Sequence, residues 1–356
     1  MARVELVGAD VVREGTTVAH HVDLTVETGT VLALVGPSGS GKTSVLRAIA
    51  GLDRVAPGSV LFDGRDVTRA EPADRDIAMV FQTPALNPRW TVRGNISFPL
   101  ELRHTDAEEI RARVGAEARV LQIERLLSTS PRRLSAGEAH VVQVARAMVR
   151  RPVVLLLDEP FANLDHDLAT TLRREIMLIQ RGFGVTTVLA TNEPFDAMAL
   201  GDRLAVIEDG RITQVADPLE VYARPRTVVA ATVTGDADIM QVAVETDELG
   251  AWLVHPAFRL RAWQPALRRH AGRRLQMIVR PEWWQLDDHG PATVTVERVH
   301  GWGATMSLWC RADGQLMTVK LRAPQTRPIA AGDTLRLRLD QYVLIDPLDG
   351  FELDLS

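Results

Sequence analysis

Gly36 to Ser44 reads GPSGSGKTS, placing three glycines, a lysine and four hydroxyl side chains within nine residues. The pattern G-x-x-x-x-G-K-[ST] is that of a phosphate-binding loop. Gly36, Gly39 and Gly41 let backbone N–H groups turn inward around phosphate oxygens, with Pro37, Ser38 and Ser40 filling the turn between them. Lys42 is placed to reach β- and γ-phosphates, the Thr43 hydroxyl suits Mg²⁺, and Ser44 follows on the same first helical turn. Lysine is otherwise scarce: only Lys320 joins Lys42, and arginine supplies the rest of the Lys/Arg cations. A second pair, Asp158-Glu159, closes the run RRPVVLLLDEP. Asp158 suits a Mg²⁺–water contact, and Glu159 suits polarising an attacking water. A third polar tip ends the run LATNEPFD, where Asn192 stands between Thr191 and Glu193. Together these groups could bind a nucleotide and hydrolyse its phosphoanhydride.

Each group needs an element to deliver it. Val31 to Val35 is an apolar strand entering the glycine loop, and a helix starts at Lys42 with Thr43, Ser44, Val45 and Leu46. The amino end of that helix adds its dipole to the phosphate site. Val153 to Leu157 reads as a strand buried on both faces, as in a parallel sheet. Its carboxyl end, where open α/β sheets bind ligands, carries Asp158 and Glu159. The run from Val185 delivers Asn192 in the same way.

At 356 residues the chain can hold two domains, each with its own core. Its 46% apolar and 24% charged content is that of a soluble globular protein. A formal charge of −5 argues against nucleic acid or an anionic membrane surface as the main partner. One cysteine, Cys310, excludes an internal disulfide framework. Neither a signal peptide nor a spanning helix is expected, so work at a membrane would require docking to something already there. The nine histidines are scattered, and His20, His21 and His140 are expected on the surface or as caps.

The region between the two acidic and glycine motifs narrows the choice of hydrolase. RDIAMVFQTPALNP (75–88) resembles the Q-loop of ABC-transporter ATPases, with Gln82 at its glutamine. RRLSAGEAHVVQVARAMVRRP (132–152) resembles their LSGGQ signature and the helix after it, and FANLD (161–165) resembles their D-loop. The resemblance spans roughly residues 1–235. It implies an α/β P-loop ATPase domain over 1–222, with a helical subdomain at about 86–150. Two such domains would pack head to tail around two ATP molecules. Ser135 and Gly137 would hold the γ-phosphate bound by the other subunit, and Asp165 would join the nucleotide-binding set. Gln82 would serve catalysis and Mg²⁺, and membrane permeases would dock near Gln82 and the segment 83–98.

A linker is expected at 223–235, followed by a small all-β, OB-like barrel at 236–356. Short alternating stretches such as ATVTVERVHGWGATMSLWC are punctuated there by glycine and proline. Six of the seven tryptophans lie in this region, with core packing and dimer contact as their expected uses. The region resembles the C-terminal regulatory domain of carbohydrate-import ATPases of the maltose and glycerol-phosphate type, with VRPEWW (279–284) at their barrel turn.

Three departures from that family matter. Its adenine-stacking aromatic would fall on Arg13, with Val18 as the neighbouring apolar contact; a guanidinium plane can also stack on a base. The signature is LSAGE, with Ala136 and Glu138 where the family has glycine and glutamine. Most consequentially, the family's T-H-D switch is Thr191-Asn192-Glu193 here. Asn192 offers an NH₂ donor on a shorter arm and cannot carry positive charge, so weak hydrolysis at this chain's own site is expected.

The resemblance leaves two arrangements open: a homodimeric slow ATPase, or a heterodimer with an unlike ATPase subunit that keeps its histidine. The second is favoured, because histidine-less members pair that way among glycerol-type importers. The implied partners are two permeases and, indirectly, a solute-binding protein, at the cytoplasmic face of the membrane. A non-hydrolysing ATP-binding regulator is a further alternative. The solute itself is set by the partners.

Overall fold

The chain opens with two long antiparallel strands, β1 (Val4–Arg13) and β2 (Thr16–Val26). β3 (Val31–Val35) then enters the glycine loop and α1 (Lys42–Ala50). Three short strands follow: β4 (Arg54–Val55), β5 (Ser59–Phe62) and β6 (Arg65–Asp66). They join β1 and β2 in an antiparallel sheet that no motif announces in advance. β7 (Ile77–Val80) leads to three helices, α2 (Val92–Glu101), α3 (Ala107–Val120) and α4 (Ala136–Met148). The unit is completed by β8 (Val154–Asp158), α5 (His166–Phe183), β9 (Thr186–Thr191), α6 (Pro194–Leu200), β10 (Arg203–Glu208) and β11 (Arg211–Ala216). This computed structural model describes residues 1–353 other than Asn163, Pro324, Thr326 and Arg327. Two units divide it, Met1–Leu219 and Glu220–Ser356.

The second sheet of the first unit runs β11-β10-β3-β9-β8-β7 and is parallel except at β11. Every residue of β8 and β9 is buried, because the sheet is covered on both faces. Alternation sorts their side chains between two cores. Val154, Leu156 and Val188 pack with α1 and the antiparallel sheet, whereas Leu155, Leu157 and Leu189 pack with the helices of the other face. The carboxyl ends of β3, β7, β8 and β9 therefore lie along one edge, and all the polar tips lie there. Arg75 is 4% exposed and donates to Ala48 O and Ile49 O at 2.8 Å each. It serves carbonyls in the last turn of α1, where Ala48 O also accepts from Gly51 N at 3.1 Å.

The expectation for His140 is corrected. It is 4% exposed, on the inner face of α4. His21 is exposed, as expected.

In the second unit, strands Asp238–Asp247, Gly250–His255, Phe258–Arg261, Arg274–Val279 and Val343–Ile345 make one antiparallel sheet. Strands Trp284–Leu286, Ala292–Trp302, Thr305–Ala312, Gln315–Arg322 and Thr334–Leu339 make another. Their inner residues share a single core that contains the fully buried Trp284. The stretch 223–235 carries the short helix Val228–Thr232. In VRPEWW, Arg280 is wholly buried and donates to Ala231 O, Gly235 O and Asp236 O at 2.8–3.1 Å, to Tyr222 O at 3.1 Å and to the Thr234 hydroxyl at 2.8 Å. Among the described residues, no helix is long and apolar enough to cross a membrane.

Candidate active site

The loop from β3 to α1 is built as its glycines require. A Cβ on Gly36 would sit 2.1 Å from the Ile207 carbonyl oxygen, and Gly41 caps α1 at φ +107°. Lys42 is 5% exposed, and its Nζ donates to Gly36 O at 2.8 Å and Pro37 O at 2.9 Å. Burial lowers its pKa, while the carboxylates of Glu159 and Asp158 favour the charged form. The Thr43 hydroxyl donates to Asp158 Oδ1 at 3.0 Å, which brings the two hard oxygen ligands of the expected Mg²⁺ site together. Burial pushes the Asp158 carboxyl up, against the pull of that hydrogen bond.

Glu159 follows β8 in the left-handed region, at φ +46°. Such a conformation costs on the order of 1–3 kcal/mol in a non-glycine residue and persists only when its surroundings hold it. Here the Glu159 N–H donates to Ala190 O at 2.9 Å. Both carboxylate oxygens are also engaged. Gln82 Nε2 donates to Oε2 at 3.0 Å, and Asn192 Nδ2 donates to Oε1 at 2.7 Å. Asn192 Nδ2 lies 3.4 Å from Ser38 Oγ as well. A cavity of about 470 Å³ collects these groups, its wall including Arg13, Val18, Lys42, Gln82, Glu159 and Asn192. Residues from four strand ends and the tip of β1 thus converge on one space of nucleotide size.

Ser135, Gly137 and Asp165 lie outside that cavity's wall. Ser135 caps α4, its hydroxyl accepting from Glu138 N at 3.2 Å while Glu138 Oε2 accepts from Ser135 N at 3.0 Å. That backbone bond, with help from Arg125, holds the Glu138 carboxyl below its usual range. A Cβ on Gly137 would fall 1.6 Å from Leu168 Cδ2, so a larger residue would have to displace the Leu168 side chain. Asp165 caps α5, accepting from Leu168 N at 3.0 Å. Asn163 of the FANLD segment lies outside the described residues. Gln143, which contacts the backbone of Phe81, escaped the sequence reading, and His140 was placed at the surface by it, because their partners are about 60 residues away.

Residues 19–162 match the ABC transporter family and residues 277–345 the TOBE domain. The sn-glycerol-3-phosphate import ATP-binding protein UgpC of Roseobacter denitrificans is 37% identical over 325 residues, 90% of this chain and 89% of its own. The chain belongs to the ATP-binding subunits of ABC transporters. The UgpC of Rhizobium meliloti is 44% identical over 231 residues, 65% of this ABC ATPase and 66% of its own length. Two solved cassettes share the fold. The ATP-binding cassette MJ0796, a dimer in a post-hydrolysis state bound to ADP and Pi, aligns with a TM-score of 0.55 at 27% identity, covering 60% of this chain and 98% of its own. cbiO1 from Clostridium perfringens, part of the cbiONQ transporter, aligns with a TM-score of 0.57 at 27% identity, covering 62% and 90%. The fold is therefore that of an ABC ATPase with a C-terminal all-β TOBE unit, as the sequence implied.

On the placement of adenine that the resemblance implies, Arg13 would wall the base. It is exposed at the end of β1 and lines the cavity with Val18. An aromatic ring in its place should stack better on adenine. Arg13→Tyr is expected to tighten ATP binding roughly fivefold, toward the low end of base–aromatic stacking. Titration of both chains with ATP and GTP checks this, and equal ATP affinities would refute the stacking role.

Proposed function

We propose that this ABC ATPase drives uptake of sn-glycerol-3-phosphate or a related sugar or glycerol-type solute. The solute class rests on the names of the relatives, two of them described above. On this reading the chain docks at the cytoplasmic face against two permeases, with the segment 83–98 as its contact, and a solute-binding protein acts from the other side. Lys42 binds the β- and γ-phosphates, Glu159 orients and polarises the attacking water, and Gln82 positions Glu159. Thr43 and Asp158 would hold Mg²⁺, with Gln82 beside them; when bound, the ion neutralises phosphate charge.

The observation that carries the proposal is the contact of Asn192 with Glu159 inside the cavity. An asparagine stands where the family has its histidine, so this site is built to bind ATP and is poorly equipped to hydrolyse it. The arrangement favoured is a pair with an unlike ATPase subunit whose competent site borrows Ser135 and Gly137 from this chain. The 2.7 Å reach of Asn192 to Glu159 also supports a second reading, a homodimer that turns over slowly.

Transport assays on the assembled importer separate the two. In the unlike pair, Ser135→Arg should stop uptake, whereas Glu159→Gln should leave most of it. Equal loss from both substitutions would rule out the unlike pair and make this chain's own site the working one.

A further inference from the structure

β7 leaves the sheet at Val80, its last paired residue. The two residues that follow take their partners from a helix instead of a strand. Gln143 of α4, with its amide turned to satisfy both groups, accepts from Phe81 N at 2.8 Å and donates to Phe81 O at 3.2 Å. His140 Nε2 lies 2.9 Å from Gln82 O. His140 Nδ1 lies 3.1 Å from Ala136 O, so both ring nitrogens face carbonyls, and the bond to Gln82 O forms when Nε2 carries the proton. Arg146 Nη1 donates to Ala85 O. Residues 140, 143 and 146 recur every three positions and so share one face of α4. They hold three successive points of the chain around Gln82. The same helix begins at the signature residues Ser135 and Gly137.

We propose that His140 is a positioning residue: with Gln143 and Arg146 it fixes the backbone at Gln82 to α4, so that the Gln82 amide meets the Glu159 carboxylate. The proposal rests on the reading of Glu159 as the water-polarising group. Its mechanical content is that the start of α4 and the segment from 81 to 85 move as one body. Displacement of either then changes the 3.0 Å contact between Gln82 and Glu159. A leucine at 140 fills the space and supplies no N–H, whereas a glutamine keeps a donor on an arm of similar length.

The experiment is steady-state ATPase on the full chain carrying His140→Leu, His140→Gln, Gln82→Ala, Glu159→Gln, and His140→Leu with Gln82→Ala. His140→Leu is expected to lower kcat by about tenfold or more through misplacement of Gln82, with little change in KM. His140→Gln should recover most of the loss. In the Gln82→Ala background His140→Leu should cost nothing further, because it acts through that side chain. A full additional loss there would overturn the proposal, as would a rise in KM that accounts for the whole defect. If Glu159→Gln leaves turnover intact, the catalytic reading fails; if it abolishes turnover while His140→Leu has no effect, only the positioning role fails. Hydrogen exchange reads the clamp without turnover. Amides of residues 81–85 should exchange about tenfold faster or more in His140→Leu, with the β3 and β9 amides unchanged, and unaltered exchange at 81–85 overturns the proposal whatever the ATPase shows.

Discussion

Mg-ATP affinity of the Lys42→Ala chain is expected to fall by at least about two powers of ten, the scale of removing one partner from a buried, hydrogen-bonded charge pair. Lys42 is 5% exposed, and its ammonium sits among carbonyls and carboxylates that cannot replace its charge against phosphate. Its two bonds to Gly36 O and Pro37 O show that it also closes the loop on itself. A melting curve without nucleotide therefore belongs beside the titration, since loss of those bonds alone would loosen the loop. Calorimetric titration of folded Lys42→Ala with Mg-ATP is the deciding measurement. Affinity equal to that of the unsubstituted chain would remove the nucleotide site from this loop.

The second large effect is a gain. Asn192→His is expected to raise kcat of the isolated chain by about ten- to a hundredfold, approaching the scale of one transition-state donor. KM should change little, because that donor acts mainly in the transition state. The geometry supports a replacement without rearrangement: Asn192 already reaches Glu159 at 2.7 Å from an exposed position after β9. An imidazole has a longer arm, so it can leave the carboxylate and approach the γ-phosphate. Glu159→Gln on top of the histidine should erase the gain. Steady-state ATPase of the three chains checks the pair of statements, and a histidine chain no faster than the original would show that Asn192 is a full substitute.

The groups that could be read in advance are those whose local backbone demands particular residues. Gly36 and Gly41 tolerate no side chain where they stand, so the loop announces itself in nine letters. β8 and β9 were legible because strands covered on both faces must be apolar throughout. Contacts across long separations were not legible. Gln82 and Glu159 are 77 positions apart, and only the resemblance put them in one site. The antiparallel sheet depends on β1 pairing with β5, more than 50 residues on, and a half-buried strand as short as β5 carries little pattern of its own. His140 was misjudged because histidine's polarity suggests water, whereas a carbonyl 58 residues away supplies the partner that permits burial.

Arg280 bears on how such proteins exchange parts. Its guanidinium draws its acceptors from Tyr222, Ala231, Thr234, Gly235 and Asp236, and none of it is exposed. A graft that began at Asp236 would import the arginine and leave most of its acceptors behind, stranding a buried cation at a cost of several kcal/mol. One that began at Glu220 would carry the whole nest with it. The piece to transfer is therefore the all-β unit together with the short helical segment ahead of it, and a chimaera cut at that earlier seam is expected to keep the arginine satisfied.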